Sequence, residues 1–229
     1  MYMRWRRLLP DWIDVVPVEL PGRGARMAER RVEDFDELVR LLCAEQVGAM
    51  HGRFAVFGHS MGALLAHGIT RRLEALGGPM PCALLASGSP APSKRDPDRY
   101  AGKDHDEALI ADLRKQGGTP DEVFGNAELM RITLDVLASD YRVCDSFVHQ
   151  PGLGLALPVH AFGGRQDDIE AQRIEAWSAE AAGAFTLDWF EGGHFFIRQQ
   201  EALVLSAIAR RLAGVVAGAE AVAPSRVCA

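Results

Sequence analysis

A serine between two glycines is the residue of this chain best suited to nucleophilic chemistry. It lies in the run Gly58-His59-Ser60-Met61-Gly62, between the apolar segment 54–57 and the strong helix formers of residues 63–75. In that setting a G-x-S-x-G run predicts a sharp turn from strand to helix, which exposes the serine hydroxyl beside the positive end of the helix. A simple Gly/Ser turn is the alternative interpretation, but the flanking strand and helix favour a nucleophile at Ser60.

A serine hydroxyl attacks efficiently only when a base removes its proton. His194 is the candidate base because it is the one histidine of seven that follows the last predicted strand. It lies in a glycine-rich turn, and an ordinary loop histidine is the alternative. His59 is predicted to support the turn around Ser60 and not to act as a second base.

The base needs an acid to hold its tautomer and to stabilise its protonated form. Two adjacent carboxylates, Asp167 and Asp168, follow the predicted strand 159–162 and its glycines. We prefer Asp167 because it lies nearer the strand, and we interpret the other carboxylate as a loop or helix-cap residue.

No metal or cofactor is predicted. No two histidines show the spacing of metal ligands, and the four cysteines are scattered without a C-x-x-C pair. The cysteines indicate reduced thiols, and therefore a cytoplasmic protein.

Alternating short apolar segments and amphipathic segments predict an α/β fold, in which a mostly parallel sheet carries helices on both faces. The predicted strands are residues 13–18, 54–57, 83–86, 159–162 and 185–190, and the predicted helices are residues 32–50, 63–75, 169–182 and 197–216. The segment 54–57 is wholly apolar, which predicts a strand buried on both faces.

One interval is too long for a simple crossover between strands. About seventy residues lie between the strands at 83–86 and 159–162, with helical patterns at 106–115 and 128–147. We interpret residues 95–150 as a helical lid inserted over the carboxyl edge of the sheet. Residues 1–216 then form a single domain, and residues 217–229 are predicted to be a disordered tail.

The net charge of −6 argues against binding to nucleic acid, and no apolar stretch is long enough to predict a membrane span. The first 31 residues differ, because their seven arginines outnumber four acidic residues. A solvated surface is the favoured interpretation, and a docking site for an acidic partner, through Arg23 or Arg26, is the alternative.

Five segments together resemble the type II thioesterases, the stand-alone editing enzymes of polyketide and nonribosomal peptide biosynthesis, which have the α/β-hydrolase fold. The resemblance covers residues 2–212, and the segments follow the family's order and spacing. They are Leu20-Pro21-Gly22-Arg23, Gly58-His59-Ser60-Met61-Gly62-Ala63, Ser139-Asp140-Tyr141-Arg142, Ala161-Phe162-Gly163-Gly164 and Gly192-Gly193-His194-Phe195.

The resemblance implies a hydrolase that removes stalled or wrong acyl groups from the phosphopantetheine arm of acyl or peptidyl carrier proteins, in antibiotic or siderophore pathways. It implies Ser60 as nucleophile, Asp167 as acid and His194 as base. The backbone N–H of Met61 would be one donor of the oxyanion hole. The phosphopantetheine belongs to the partner, so the enzyme itself needs no cofactor.

The sequence departs from the family in one respect. Members begin with a further strand and a glycine-rich loop that supplies the second oxyanion donor, and both are missing before Tyr2. Either Met1 is not the natural start, which we favour, or the chain is a truncated relative. Three functions therefore stay open: an editing thioesterase, a weakly active or inactive carrier-binding relative, and a generic esterase or acyltransferase.

Overall fold

Four parallel strands form the centre of the computed structural model, which describes residues 1–222. Their spatial order follows the chain, from β1 to β4. The strands are β1 (Val56–His59), β2 (Leu84–Ser87), β3 (Val159–Gly164) and β4 (Phe185–Phe190). Because every pair is parallel, the carboxyl ends of all four strands meet at one edge of the sheet. The predicted α/β fold with a parallel sheet is confirmed.

The helices that accompany this sheet agree largely with the amphipathic pattern of the sequence. They are α1 (Tyr2–Trp5), α2 (Phe35–Gln46), α3 (Met61–Ala75), α4 (Asp106–Gln116), α5 (Asp121–Phe124), α6 (Ala127–Asp145), α7 (Ala171–Glu175), α8 (Phe196–Gln199) and α9 (Glu201–Val222). No helix within residues 1–222 combines the length and apolar character needed to span a bilayer.

Side chains of the strands alternate between two hydrophobic cores, one on each face of the sheet. Leu84 of β2 packs in one core with α3 and the fully buried Trp177. Leu85 points to the other core, where it meets Phe162 and α9. This alternation follows the two-residue period of a strand and explains why these strands read as continuous apolar runs.

The predicted strand at residues 13–18 is wrong. The segment forms neither a helix nor a strand, and it pairs with no strand of the described chain. Ile13 and Val15 still pack at the edge of a core, whereas Val16 and Val18 are exposed. A strand needs a neighbour to satisfy its backbone groups, and β-branched residues alone do not supply one.

The first strand of the sheet also differs from its prediction. It spans Val56–His59 and not residues 54–57, and Val56 and Phe57 are half-buried. The reason is that β1 is an edge strand: its only ladder partner among the described residues is β2. Val56 and Ser60 donate toward the β2 side, so the backbone groups of the alternate residues Phe57 and His59 face the open edge.

Two predicted helices are interrupted. The segment 169–182 contains the short helix α7 followed by a 3₁₀ helix over Ala176–Glu180. The segment from residue 197 onward is split between α8 and α9, because the chain turns at Gln200. Helix α9 continues to Val222, so residues 217–222 of the predicted tail are helical, and residues 223–229 lie outside the described residues.

The interval predicted as a lid contains α4, α5 and α6, which share a small core of their own around Leu109 and Leu134. A buried polar group stands inside it. Asp112 accepts hydrogen bonds from Lys103 at 2.6 Å and from the Tyr141 hydroxyl at 2.8 Å. Burial raises the pKa of Asp112, but the two donors and the charge of Arg99 outweigh it and lower the pKa below its usual value. The lid helices are therefore joined by both apolar and charged contacts.

Candidate active site

Ser60 occupies the sharp turn between β1 and α3. Its φ of 57° is the only positive φ of a non-glycine residue in residues 1–222. Such a backbone conformation costs on the order of 1–3 kcal/mol and persists only where surrounding contacts hold it. One of these contacts is a 2.8 Å hydrogen bond from the Ser60 N–H to the Ser87 carbonyl at the end of β2. The predicted turn is present, with the hydroxyl at the carboxyl edge of the sheet.

The two glycines of this turn play different parts. A Cβ at Gly58 would overlap the backbone of Gly62 and Ala63, because the first turn of α3 folds back onto β1. A Cβ at Gly62 would meet no atom within 4 Å. Only the first glycine is required by close packing.

We therefore expect opposite results from two alanine substitutions. Gly58→Ala should destabilise the fold by about 1–3 kcal/mol, the usual cost of overpacking. Gly62→Ala lies in the first turn of a helix and should be neutral or stabilise by up to about 1 kcal/mol. Urea unfolding of both variants measures this, and equal losses would contradict the packing argument.

His194 reaches Ser60 from the turn that follows β4. Its Nε2 lies 2.9 Å from Ser60 Oγ, and its Nδ1 lies 2.9 Å from Asp167 Oδ2. The three predicted residues thus form one chain of hydrogen bonds. This arrangement can move a proton from the hydroxyl to the imidazole while the carboxylate stabilises the resulting charge.

The side chain of Asp167 is inaccessible to solvent, with an exposure of 0%, and the His194 side chain is 10% exposed. The turns that carry them are tied together, since the Gln166 N–H donates to the Gly192 carbonyl at 3.0 Å. Backbone approaches backbone here, because a Cβ at Gly164 would lie 2.7 Å from the carbonyls of Gly192 and Gly193. The glycines after β3 and β4 therefore allow the acid and the base to meet.

The neighbouring carboxylate, Asp168, contacts two basic residues of the lid. Asp168 Oδ2 lies 2.8 Å from Lys115 Nζ and 3.4 Å from an Arg99 nitrogen. Burial raises the pKa of Asp168, but Lys115, Arg99 and the adjacent Asp167 lower it to about 2. The geometry brings Asp167, the carboxylate that the sequence favoured, to His194, and it pairs Asp168 with the lid.

The N–H of Met61 begins helix α3, which places it among the amide groups that no carbonyl of the helix can accept. It is adjacent to the serine hydroxyl along the chain, and the 15-residue helix adds a partial positive charge at this end. The arrangement suits one hydrogen bond to a developing oxyanion.

The arginines considered for docking have partners within the chain. Arg23 donates to both carboxylate oxygens of Asp140, at 3.1 and 2.6 Å, and so ties the N-terminal loop to α6. Arg26 binds both Glu29 and Glu45. Their charges are balanced internally, which disfavours the interpretation of either residue as a docking contact.

Sequence reasoning missed Ser87 and Gly88, at the end of β2. Ser87 accepts the Ser60 N–H through its carbonyl, and its hydroxyl lies 3.0 Å from His59 Nδ1. Their place directly after a buried strand, at the same sheet edge as the other site residues, is the signal that could have found them. Among residues 1–222, no three His, Cys, Asp or Glu side chains are grouped so as to hold a metal ion.

The sequence matches the thioesterase domain family over residues 1–212. The chain belongs to the thioesterase family. The resemblance derived from the five segments is thereby confirmed, and the α/β-hydrolase fold and thioester hydrolysis follow from it.

Similar proteins place the chain more narrowly. It is 34% identical to the thioesterase PikA5 of Streptomyces venezuelae, over 87% of this chain and 71% of PikA5. The solved structure of the type II thioesterase BorB, from the borrelidin biosynthetic cluster, is 40% identical with a TM-score of 0.78, over 87% of this chain and 81% of BorB. The linear gramicidin dehydrogenase LgrE of Brevibacillus parabrevis is 33% identical, over 95% of this chain and 84% of LgrE. The name of LgrE denotes a different chemistry, whereas the contacts of Ser60 are those of acyl transfer.

Proposed function

We propose that this thioesterase releases aberrant or stalled acyl groups from the phosphopantetheine thioesters of acyl or peptidyl carrier proteins. In this proposal Ser60 is the nucleophile, His194 the base, Asp167 the acid and the Met61 N–H an oxyanion donor. The observation that carries it is the continuous hydrogen-bonded chain from Ser60 Oγ through His194 to Asp167. The kinship with type II thioesterases supplies the substrate class.

The reaction follows from the geometry in two halves. Ser60 Oγ attacks the thioester carbonyl as His194 Nε2 takes its proton, and the Met61 N–H binds the oxygen that becomes negative. The carbon–sulfur bond then breaks, the thiol of the arm leaves with the proton from His194, and the acyl group stays on Ser60. Water repeats the attack with the same base, which releases a carboxylic acid and restores the hydroxyl.

The lid contacts the site on both sides of the triad. Lys115 at the end of α4 meets Asp168, next to the acid, and Arg198 donates to the Gly118 carbonyl at 2.7 Å, one turn after His194. A lid held at these points closes the site, and its opening would admit the acylated arm. In the same proposal the partners are carrier proteins and the location is cytoplasmic, which the free thiols of Cys43, Cys82 and Cys144 support.

A comparison of three substrates that carry the same acyl group tests this function. They are an acyl-loaded carrier protein, the acyl thioester of a short pantetheine analogue, and the nitrophenyl ester. We expect kcat/KM to be highest for the loaded carrier, because contacts with the carrier add binding energy that the small esters lack. Intact mass of the carrier follows the return of its free thiol. Preference for the nitrophenyl ester would instead indicate a generic esterase.

One observation favours a second candidate function, carrier binding with little hydrolysis. The outer edge of β1 next to Ser60 has no partner strand among the described residues, and the proposed mechanism assigns one oxyanion donor, the Met61 N–H. Loss of one donor typically costs about 10²–10³ in kcat. Tight binding of the loaded carrier without thiol release in the same assay would decide for this candidate.

A further inference from the structure

His59, the residue before Ser60, holds an imidazole that the proposed mechanism does not use. Its Nδ1 lies 3.0 Å from Ser87 Oγ. Its ring centroid lies 5.1 Å from that of His194 and 5.6 Å from that of Phe196. The ring therefore fills the space between the end of β2 and the turn that carries the base.

The backbone around His59 is shaped to admit this ring. Gly88 has a φ of +55°, and a Cβ at that position would lie 2.5 Å from His59 Cε1. The Gly88 N–H donates to the Phe162 carbonyl at 2.9 Å, which fixes the glycine against β3. Any side chain at Gly88 would overlap the imidazole, so the position of the ring is set by contacts on the β2 side.

The electrostatics keep this imidazole neutral. Burial, together with the charges of His194 and Arg198, lowers the pKa of His59 to about 3, although the nearby backbone of His194 opposes the shift. Nε2 is buried and makes no hydrogen bond of good geometry within the described chain. A neutral ring adds no second positive charge beside His194 when the base is protonated.

We propose that His59 is a positioning residue: anchored on Ser87, its ring braces the His194 imidazole so that Nε2 stays on the Ser60 hydroxyl. The inference rests on the proposed roles of Ser60 and His194. It extends them, because it assigns to His59, the second residue of the G-x-S-x-G run, the role of holding the His194 ring in place. Misplacement of a reacting group by about 1 Å can cost up to 10²-fold in rate.

The same sheet contains a matched control. His160 of β3 lies 2.7 Å, through Nδ1, from Thr186 Oγ1 of β4, and its Nε2 is likewise buried without a partner in the described residues. Burial lowers its pKa to about 4. This imidazole–hydroxyl pair is in the first half of β3, away from the carboxyl edge that carries the triad. Substitutions in this pair therefore show the effect of losing a buried imidazole without any change in the support of His194.

The test compares His59→Phe and Ser87→Ala with His160→Phe and Thr186→Ala. A fluorophosphonate probe labels the reactive serine as fluoride leaves and His194 takes the proton, so its rate measures the alignment of serine and base without a carrier. We expect His59→Phe to lower the labelling rate and kcat about tenfold or more, with KM within about twofold. Ser87→Ala should act in the same direction but less, and the two controls should reduce stability without changing the labelling rate of the folded protein.

The free energy of unfolding is measured for every variant alongside its labelling rate. If His59→Phe does not fold, His59→Asn replaces it. Asparagine retains a polar atom near the position of Nδ1, so it should recover part of the rate. Equal labelling of His59→Phe and His160→Phe would overturn the positioning role and leave the triad intact. If the wild-type protein is not labelled at Ser60, the proposed function itself is wrong, and the inference falls with it.

Discussion

Ser60→Ala should abolish the acyl-enzyme and lower hydrolysis of an acyl-loaded carrier by about 10⁴-fold or more. Every covalent step of the proposed reaction passes through the Ser60 oxygen, which lies 2.9 Å from His194 Nε2. Without it, His194 can only activate water, which is not held at the position of the nucleophile. Intact mass spectrometry after rapid mixing measures the acyl adduct directly, and release of the carrier thiol measures turnover.

Ser206→Ala is the matched control for this substitution. Ser206 is exposed on α9, so its loss should leave both the adduct and the turnover unchanged. The Ser60→Ala variant should keep its fold and its affinity for the carrier, since among the described residues the hydroxyl is hydrogen-bonded to His194 alone. Full turnover by this variant would end the assignment of Ser60 as nucleophile.

The sequence predicted those site residues whose neighbours along the chain indicate a particular backbone turn. Ser60 was predicted because two glycines and a strand-to-helix change surround it, and the structure places it in that turn. His194 was predicted because it follows the last strand within a glycine-rich turn. Both positions depend on local backbone requirements, which a short window of sequence records.

The sequence favoured Asp167 over Asp168 by its position alone, and a short window could not show the contacts that distinguish the two carboxylates. Asp167 and Asp168 are adjacent, and both follow β3. What separates them is contact with distant parts of the chain, His194 for one and the lid residues Arg99 and Lys115 for the other. The same holds for Arg23, whose partner Asp140 is far away in the chain. Pairings at long sequence separation depend on the assembled fold.

The error at residues 13–18 has another origin. Strand propensity describes how well a residue suits a pleated and half-buried surface, and Ile13 and Val15 do pack against the core. Whether the segment becomes a strand depends on a neighbour with free backbone groups. Within the described chain that neighbour is missing, and the outer edge of β1 stays open. The exposure of Val16 and Val18 follows from the same open edge.

Asp167→Asn should lower kcat by about 10⁴-fold with KM little changed, because the loss falls on the transition state. The Asp167 carboxylate is fully buried, so its charge acts on His194 with little screening by water. An uncharged amide cannot stabilise the imidazolium that forms when Ser60 attacks. If its nitrogen faces Nδ1, it also favours the tautomer in which Nε2 carries the proton and cannot accept another.

Asp168→Asn is the control one residue away, with the same change in charge and size. Its partners Lys115 and Arg99 belong to the lid, so the substitution should weaken the closure of the lid and alter KM more than kcat, within about tenfold. Steady-state kinetics of both variants on one loaded carrier separate the two roles. A greater loss of kcat in Asp168→Asn than in Asp167→Asn would show that Asp168, and not Asp167, is the acid of the triad. In that case the 2.9 Å contact between His194 and Asp167 would have to break when substrate binds.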